Sequence, residues 1–478
     1  MFLSLESATN LFQVGAVSVL DPSTAPEGSP PPHEALRRVV AARLDRLPPF
    51  RTRPVPVPGG LDHPTWVDDA PDLDFHIRRG AVPSPGGEPE LARYAADVLA
   101  RPLDRSRPLW EIHVVEGLEG GLIAGIAKLH HSAIDGIAGA EATAALMDLE
   151  PVAVGDGPPS EFASEPVPSA WQLIGSACRN AGRRVMPTTR LLARLPGTAL
   201  RLGIRNRLLE GSPPPGFFTS PRTSLASRLS RRRVAGVTHV DMADVEAVRQ
   251  ATRATVNDVI LALAASAIRL YLDERGELPA EPLGGFVPVS VRPDAGDPMR
   301  DVNRLSGMLV SLATDVDDPL RRLEMIAESA HAAKDQHRVL GEDLFSELAA
   351  LGVPALLGPT GRLVRGLGLT SRFPPFSVVV SSFAGPTFPL YCAGAEMLAY
   401  HPFGPVIDGA ALNITAMSYR GQIGFGLLAC AEAVPDVDLV ARLIPESMTE
   451  LTKAVSSPHH RKAGAPAPAA EVSARRSR

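Results

Sequence analysis

One stretch of this 478-residue chain constrains its fold more than any other. Apolar and polar residues alternate from Trp110 to Val115, as they do in a half-buried β-strand. The glycine-rich turn 117–121 is followed by an apolar run, 122–129, which predicts the second strand of a hairpin. The sequence His130-His131-Ser132-Ala133-Ile134-Asp135-Gly136 comes directly after that run, ahead of a predicted helix over 137–149. The pattern therefore predicts a hairpin that ends in two histidines.

Proline and glycine are unusually frequent, with 47 prolines and 41 glycines in the chain. Together they would make up about 12% of an average protein, so their excess indicates many turns and strand ends and argues against a helical bundle. Short strands and helices are predicted in both halves, which favours an α/β fold with mixed sheets. We predict four regions: an N-terminal subdomain over 1–150, a linker or crossover with a basic helical segment over 151–215, a C-terminal subdomain over 216–455, and a disordered tail over 456–478.

Charge and cysteine content exclude several classes of protein. Lysine and arginine number 48 against 53 acidic residues, and the net charge of −5 argues against a nucleic-acid partner. Cys178, Cys392 and Cys430 form neither a CxxC pair nor a Cys/His cluster, so neither a disulfide framework nor a zinc site is expected. The longest apolar run, Val259–Ile268, is far shorter than the roughly 20 residues of a membrane span. With no visible signal peptide either, a cytoplasmic protein is expected.

The HHxxxDG sequence at residues 130–136 carries the clearest chemical signal. Histidine suits base catalysis near neutral pH, because its unperturbed pKa is about 6.5. Adjacent residues at a strand end point to different sides, so only one of His130 and His131 can face a given cleft. Asp135 can fold back to brace the loop, and Gly136 permits a tight turn into the helix. Because no GxSxG sequence and no nearby cysteine is present, the pattern favours a base that acts on the substrate's own hydroxyl or amine.

Two other interpretations of this motif stay open from the residues alone. The histidine pair could serve only to satisfy hydrogen bonds of its loop. His130, His131 and Asp135 could also ligate a metal ion, although adjacent histidines rarely converge on one ion.

Further segments, in order from about residue 10 to residue 450, resemble those of the bacterial wax ester synthase/acyl-CoA:diacylglycerol acyltransferases. They are Leu61-Asp62-His63-Pro64-Thr65-Trp66, Pro102-Leu103-Asp104-Arg105-Ser106-Arg107-Pro108-Leu109-Trp110-Glu111, Ala254-Thr255-Val256-Asn257-Asp258-Val259, Val287-Pro288-Val289-Ser290-Val291-Arg292, Gly385-Pro386 with Pro389-Leu390-Tyr391, and Leu412-Asn413-Ile414 with Ser418-Tyr419. The resemblance implies an α/β fold of two chloramphenicol-acetyltransferase-like subdomains with mixed sheets, as in other CoA-dependent acyltransferases. It also implies an active-site tunnel between the subdomains.

The resemblance also implies roles for individual residues. His131 matches the histidine taken as general base, and Asp135 would be structural, paired with an arginine. Asn257 and Asp258 match a second functional segment and would contact substrate, although from the residues alone the pair could instead cap or tether the following helix. Asp104 and Arg105 are expected to form a structural pair. No cofactor and no metal are expected, because acyl-CoA is a substrate.

The implied function is transfer of a long-chain acyl group from acyl-CoA to the hydroxyl of diacylglycerol or of a fatty alcohol, without a covalent enzyme intermediate. The alternatives are a condensation-like acyltransferase that uses another thioester donor and acceptor, and a catalytically silent lipid-binding paralogue. Two departures from the family pattern bear on this choice. Ser382 and Ala384 stand where the family usually shows Asn and Pro, and the family usually has a further segment ahead of Met1.

The implied acceptors reside in membranes, so peripheral contact with the inner face of the plasma membrane or with lipid bodies is expected. The stretch 166–209 contains no Asp or Glu. Arg190 and Arg194 lie four residues apart, as do Arg201 and Arg205, so each pair would share one face of a helix. This stretch is the candidate membrane contact; the alternative is an interdomain crossover whose arginines pair with acidic residues elsewhere.

Overall fold

The computed structural model of the protein describes residues 2–134, 136–152, 164–183, 215–290, 305–340 and 354–457. Their strands form two six-stranded sheets and one two-stranded pair. The strands are β1 Gln13–Asp21, β2 Thr52–Val55, β3 Thr65–Asp68, β4 Ile77–Ala81, β5 Trp110–Glu116, β6 Ile123–His130, β7 Arg233–Asp241, β8 Gly284–Ser290, β9 Leu305–Ser311, β10 Val378–Ala384, β11 Tyr391–Cys392, β12 Ala395–Phe403, β13 Leu412–Tyr419 and β14 Gln422–Cys430. The α-helices are Phe2–Leu5, Pro32–Arg43, Pro48–Arg51, Leu73–His76, Glu88–Leu99, Gly136–Leu146, 170–183, Met242–Thr252, Val256–Glu274, Pro319–Leu340, Pro354–Gly366, Leu369–Arg372 and Val437–Ser456.

The first sheet has the strand order β11-β12-β1-β6-β5-β4 and contains the predicted hairpin. β5 pairs antiparallel with β6, with Trp110 opposite Leu129. Glu111 and Lys128 also lie opposite each other and form a buried ion pair of 3.0 Å. Burial alone would raise the pKa of Glu111, but its contacts with His113 and Lys128 outweigh burial and lower that pKa to about 2. A charged pair therefore holds the two strands together inside the sheet.

The second sheet has the strand order β7-β14-β13-β10-β8-β9. β10 is parallel to both β13 and β8, and the remaining pairs are antiparallel. The predicted α/β class with mixed sheets is therefore confirmed. β10 contains Ser382 and Ala384, so these two departures from the family pattern lie in a strand.

β12 is encoded in the C-terminal half of the chain but belongs to the first sheet. It pairs antiparallel with β1, where Ala16 lies opposite Pro402. It also crosses β14 closely: a Cβ atom at Gly424 or Gly426 would stand 2.1 Å from the carbonyl oxygen of Tyr400 or Pro402. Only glycine permits this approach of two backbones. The two sheets therefore meet where β12 crosses β14.

The helix Val256–Glu274 is mostly buried in the core of the second half. Among the residues that the structure describes, no single helix is both long and apolar enough to cross a membrane. Two consecutive helices, Met242–Thr252 and Val256–Glu274, are long and apolar enough only when they are taken together, and the angle between them is 105°. The predicted disordered tail is 456–478; Ser456 ends the helix Val437–Ser456, and the tail from residue 458 onwards lies outside the described residues.

Candidate active site

His131 follows the last residue of β6 and faces a cavity between the two sheets. Its backbone N–H donates to the carbonyl of Phe12 at 2.7 Å, which ties the turn to the start of β1. Its ring stacks on that of Phe2, with 4.7 Å between the ring centroids. The cavity it lines has a volume of about 410 Å³. A substrate in that cavity would therefore meet the imidazole of His131.

Both sheets contribute mainly apolar side chains to this cavity, which we call the central cavity. β1, β6 and β12 line it from the first sheet, and β8, β10 and β13 line it from the second. The polar residues in its lining are Thr143, Ser381, Ser382, Tyr400, Asn413 and Thr415. A cavity lined mostly by apolar side chains, with a few hydrogen-bonding groups, suits a long-chain ligand with a polar reacting end.

A second cavity of about 420 Å³, which we call the side cavity, adjoins the central cavity. Its walls come mainly from β1, β5, β6 and the segment 22–36. Both cavities share Ala16, Ala127, Thr143 and Tyr400 in their linings. Burial raises the pKa of Tyr400, so its hydroxyl stays neutral between the two cavities. These four shared residues border both cavities, and we call them the waist.

His130 lies on a different side of the same turn and is 1% exposed. Its Nδ1 accepts the backbone N–H of Ser132 at 3.0 Å. The ring proton then sits on Nε2, which is 3.6 Å from Oε2 of Glu6. The two histidines therefore have separate surroundings, as their adjacent positions predict: His131 lines the central cavity, and His130 is held inside the protein.

Glu6 was not anticipated from the sequence, although it contacts the motif directly. Its carboxylate also accepts the Arg105 Nε–H at 2.9 Å. Burial would raise the pKa of Glu6, but hydrogen bonds and charges of His130 and Arg105 outweigh it and hold that pKa below its ordinary value. The prediction that Asp104 pairs with Arg105 is therefore wrong. Arg105 pairs with Glu6, and Asp104 accepts the backbone N–H of Ser106 at 2.9 Å.

Asn257 and Asp258 make different contacts in the structure. Asn257 Oδ1 accepts the hydroxyl of Ser382 at 2.7 Å, and Ser382 lines the central cavity. Asp258 and Thr255 form a capping box, in which Asp258 accepts the Thr255 N–H at 2.9 Å and donates its own N–H to the Thr255 hydroxyl at 3.2 Å. Asn257 is thus one hydrogen bond away from the cavity, while Asp258 caps the helix Val256–Glu274. Their contact with substrate stays a prediction.

Some predicted site residues lie outside the described part of the chain. Gly136 begins the helix Gly136–Leu146, as predicted for a turn that enters a helix. Asp135 falls outside the described residues, so its role as a brace and the metal interpretation that includes it stay predictions. Arg190, Arg194, Arg201 and Arg205 also fall outside them.

Comparison with known proteins identifies the family. The profile of the wax ester synthase/diacylglycerol acyltransferase catalytic domain matches residues 1–260, and that of the WS/DGAT C-terminal domain matches residues 302–452. The chain belongs to this family. A Mycobacterium tuberculosis protein named as a diacylglycerol O-acyltransferase is 35% identical over 94% of the chain and 88% of its own length. A Mycobacterium bovis protein of the same name is 33% identical over 95% of the chain and 98% of its own length. Membership of the family makes the chain an acyltransferase.

Solved structures agree with this membership. The wax ester synthase/diacylglycerol acyltransferase from Marinobacter aquaeolei VT8 superposes with a TM-score of 0.68 and 26% identity, covering 95% of this chain and 98% of that one. The first condensation domain of the CDA synthetase has a TM-score of 0.53 and 16% identity, with 95% and 94% covered. The latter likeness concerns the fold alone, and it confirms the predicted two-subdomain fold that the family shares with condensation domains.

Proposed function

We propose that the protein transfers a long-chain acyl group from acyl-CoA to the hydroxyl of diacylglycerol and, in the same site, of long-chain alcohols. The position of His131 on a mostly apolar cavity between the two sheets carries this proposal. The names of its relatives favour diacylglycerol as acceptor. The product with diacylglycerol is triacylglycerol, a storage lipid.

In the proposed reaction, the neutral imidazole of His131 takes the proton of the acceptor hydroxyl. The oxygen attacks the thioester carbonyl, a new ester bond forms, and the carbon–sulfur bond breaks. The CoA thiolate then takes the proton from His131, so the enzyme ends unchanged. Base catalysis of this kind contributes about 10²–10⁴-fold to the rate. Holding the thioester and the hydroxyl together in the central cavity supplies the rest.

Labelled palmitoyl-CoA, incubated with the protein and either dioleoylglycerol or hexadecanol, tests the proposal by thin-layer separation of the lipids. We expect labelled triacylglycerol, and a smaller amount of wax ester, with neither formed by His131→Ala. Free labelled palmitate in place of both products would contradict acyl transfer to these acceptors. Absence of any turnover by the folded wild type, with palmitoyl-CoA still bound, would instead support a silent lipid-binding paralogue.

The proposal also includes contact with a membrane or lipid-body surface, because diacylglycerol resides there. The predicted contact, the basic stretch 166–209, is described only up to residue 183. Four of its eight arginines, those at positions 190, 194, 201 and 205, stay the candidates that the sequence suggests. Each basic residue near an anionic leaflet contributes about 1 kcal/mol to binding.

A further inference from the structure

Six large apolar side chains are exposed together on the second half of the molecule. They belong to the helix Pro354–Gly366, the short helix Leu369–Arg372, the residues that directly follow these two helices, and the segment 215–218. We call them the apolar patch: Phe217, Phe218, Leu363, Leu367, Leu369 and Phe373. Their exposed fractions run from 38% at Leu369 to 62% at Leu363 and Leu367. Single exposed apolar residues are common on protein surfaces, whereas a group of this kind marks an interaction site.

Backbone contacts hold the parts of the apolar patch side by side. The N–H of Leu367 donates to the carbonyl of Leu363 at 3.0 Å, so Leu367 lies one turn after Leu363, just past the end of the helix. The N–H of Phe373 donates to the carbonyl of Leu369 at 2.8 Å, and the N–H of Phe218 donates to Pro375 at 3.2 Å. The rings of Phe217 and Phe218 are 6.4 Å apart. The segments that carry the six exposed side chains therefore lie next to one another.

The charges around the patch are basic. The sequence 354–376 contains three arginines and no acidic residue, and 215–222 contains one arginine and no acidic residue. Arg365 is used inside the fold, where it pairs with the buried Asp408 at 2.9 Å. Arg222 and Arg372 are exposed beside the apolar side chains. Apolar side chains beside exposed arginines complement an anionic lipid surface.

Two contacts of Arg365 connect the patch to the wall of the central cavity. Arg365, in the helix that carries Leu363, donates from Nη2 to the Leu5 carbonyl at 3.4 Å. Leu5 ends the helix Phe2–Leu5, and Phe2 at its start lines the central cavity. Asp408, the partner of Arg365, follows the cavity residue Ile407. The patch therefore lies beside the cavity.

We propose that the apolar patch is the surface by which the protein docks on an anionic lipid bilayer, so that a membrane lipid can pass directly into the central cavity. The benefit to catalysis rests on the proposed function, but the docking itself does not. A second copy of the chain fits the patch less well. A two-fold interface would place each patch against its own copy and bring the arginines of both together, where like charges repel.

Flotation with lipid vesicles tests the docking surface. The patch variant is Leu363→Gln, Leu367→Gln and Phe373→Gln. Its matched control is Leu270→Gln, Leu398→Gln and Phe388→Gln, whose exposed fractions of 40%, 37% and 50% are comparable but which lie outside the patch. Vesicles of phosphatidylcholine, and of phosphatidylcholine with an equal share of phosphatidylglycerol, are used at low and high salt.

The wild type and the control are expected to float with the anionic vesicles, and the patch variant to bind them at least about tenfold more weakly. An Arg222→Gln/Arg372→Gln variant should lose the preference for anionic over neutral vesicles and the sensitivity to salt. Equal binding by the patch variant and the control would overturn the proposal. So would loss of binding only in a variant with Arg190, Arg194, Arg201 and Arg205 changed to Gln.

Two further measurements distinguish membrane docking by the patch from the proposed acyl transfer and from contact between two copies of the chain. Acyl transfer to diacylglycerol in vesicles should fall in the patch variant at least about tenfold, while transfer to a water-soluble short-chain alcohol stays within about twofold of wild type. If the wild type shows no transfer at all but its patch-dependent flotation persists, the proposed function fails and the docking surface stands. Sedimentation must also find the wild type and the patch variant in the same oligomeric state; loss of a dimer with vesicle binding unchanged would assign the patch to a second copy.

Discussion

At the scale of single residues, the two histidines of one motif have different surroundings although they are adjacent in sequence. His131 lines the central cavity and stacks on Phe2. His130 is buried between Ser132 and Glu6. A general base must reach the substrate from which it takes a proton. Of the two histidines, only His131 lines the cavity in which the substrate would lie. The structure therefore favours His131 as the base and His130 as a support of its turn.

Replacement of the base is the first prediction. His131→Ala should remove nearly all acyl transfer and leave the fold intact, because the ring projects into the cavity. His130→Ala should reduce the rate less, but it should lower the free energy of unfolding because it leaves a void and removes one of the two partners of the Glu6 carboxylate. Both variants are compared by turnover of labelled palmitoyl-CoA and by urea unfolding. If folded His131→Ala kept more than about a tenth of wild-type activity, another group would have to be the base.

Glu6 is expected to act as a positioning residue. Its carboxylate contacts His130, which holds the turn that carries His131. Glu6→Gln keeps the shape but removes the charge, so the turn should shift and kcat should fall about tenfold while KM for acyl-CoA changes little. Glu6→Asp should restore part of kcat.

Glu116→Gln is the control for Glu6→Gln, because the ion pair of Glu116 with Arg79 is exposed and lies away from the motif. This control should leave kcat unchanged. A Glu6→Gln variant with lower melting temperature but wild-type kcat would show that Glu6 only stabilises the fold.

At the scale of elements, β12 is the strand on which the joint between the two sheets depends. His401 lies in it, is 2% exposed, and its ring Nδ1 is 3.2 Å from the carbonyl of Phe425 in β14. The nitrogen at that carbonyl carries the proton of a neutral ring and donates it. Burial lowers the pKa of His401 to about 4, so the ring stays neutral in the folded protein well below neutral pH.

This lowered pKa makes the stability of the joint depend on pH. In the unfolded chain His401 has a pKa of about 6.5 and takes up a proton below it. Its contribution to stability is therefore complete above about pH 6.5 and is lost as the pH falls towards 4. Between pH 7.5 and pH 5.0 the loss is about 2 kcal/mol. We expect urea unfolding of the wild type to show a decrease of at least this size.

His401→Gln should show a smaller decrease, since glutamine can donate to the Phe425 carbonyl without titrating. Part of the pH dependence should remain in this variant, because burial also lowers the pKa of His76. The same decrease in the wild type and in His401→Gln would show that His401 does not contribute to it.

At the scale of the whole molecule, the relation between the two cavities determines how long a chain the protein can hold. The central cavity lies between the sheets, and the side cavity extends from it past Ala16, Ala127, Thr143 and Tyr400. A chain that reaches the side cavity must cross this waist. Each buried methylene of such a chain contributes about 0.8 kcal/mol, so access to the side cavity favours long chains.

Ala127→Phe is expected to close the waist, because it adds a ring between the two cavities. Transfer from palmitoyl-CoA should fall at least about tenfold, whereas transfer from octanoyl-CoA should fall less than about threefold. The ratio of kcat/KM for the two donors is the measurement, and the short donor is the internal control. An equal fall for both donors would mean that the acyl chain does not use the waist.

Much of the local structure could be predicted from the sequence. The alternation from Trp110 onwards predicts the hairpin, and the Asn257-Asp258 pair is one candidate cap of a helix, a role that Asp258 has, because each signal depends on residues only a few positions apart. β12 was missed. Pro402 lies in its interior, and proline cannot donate a hydrogen bond to a neighbouring strand, so the local pattern argues against a strand there.

The motif segments of the chain by themselves determined its family, its α/β class and the histidine pair at the end of β6. Only the tertiary structure decided that β12 joins the first sheet, that Glu6 reaches His130 and Arg105, and that residues 215–218 lie beside the segment 363–375. The physical reason is distance along the chain. Contacts between residues about a hundred or more positions apart depend on the order of strands in the sheets, and no pattern within a short window of sequence records that order.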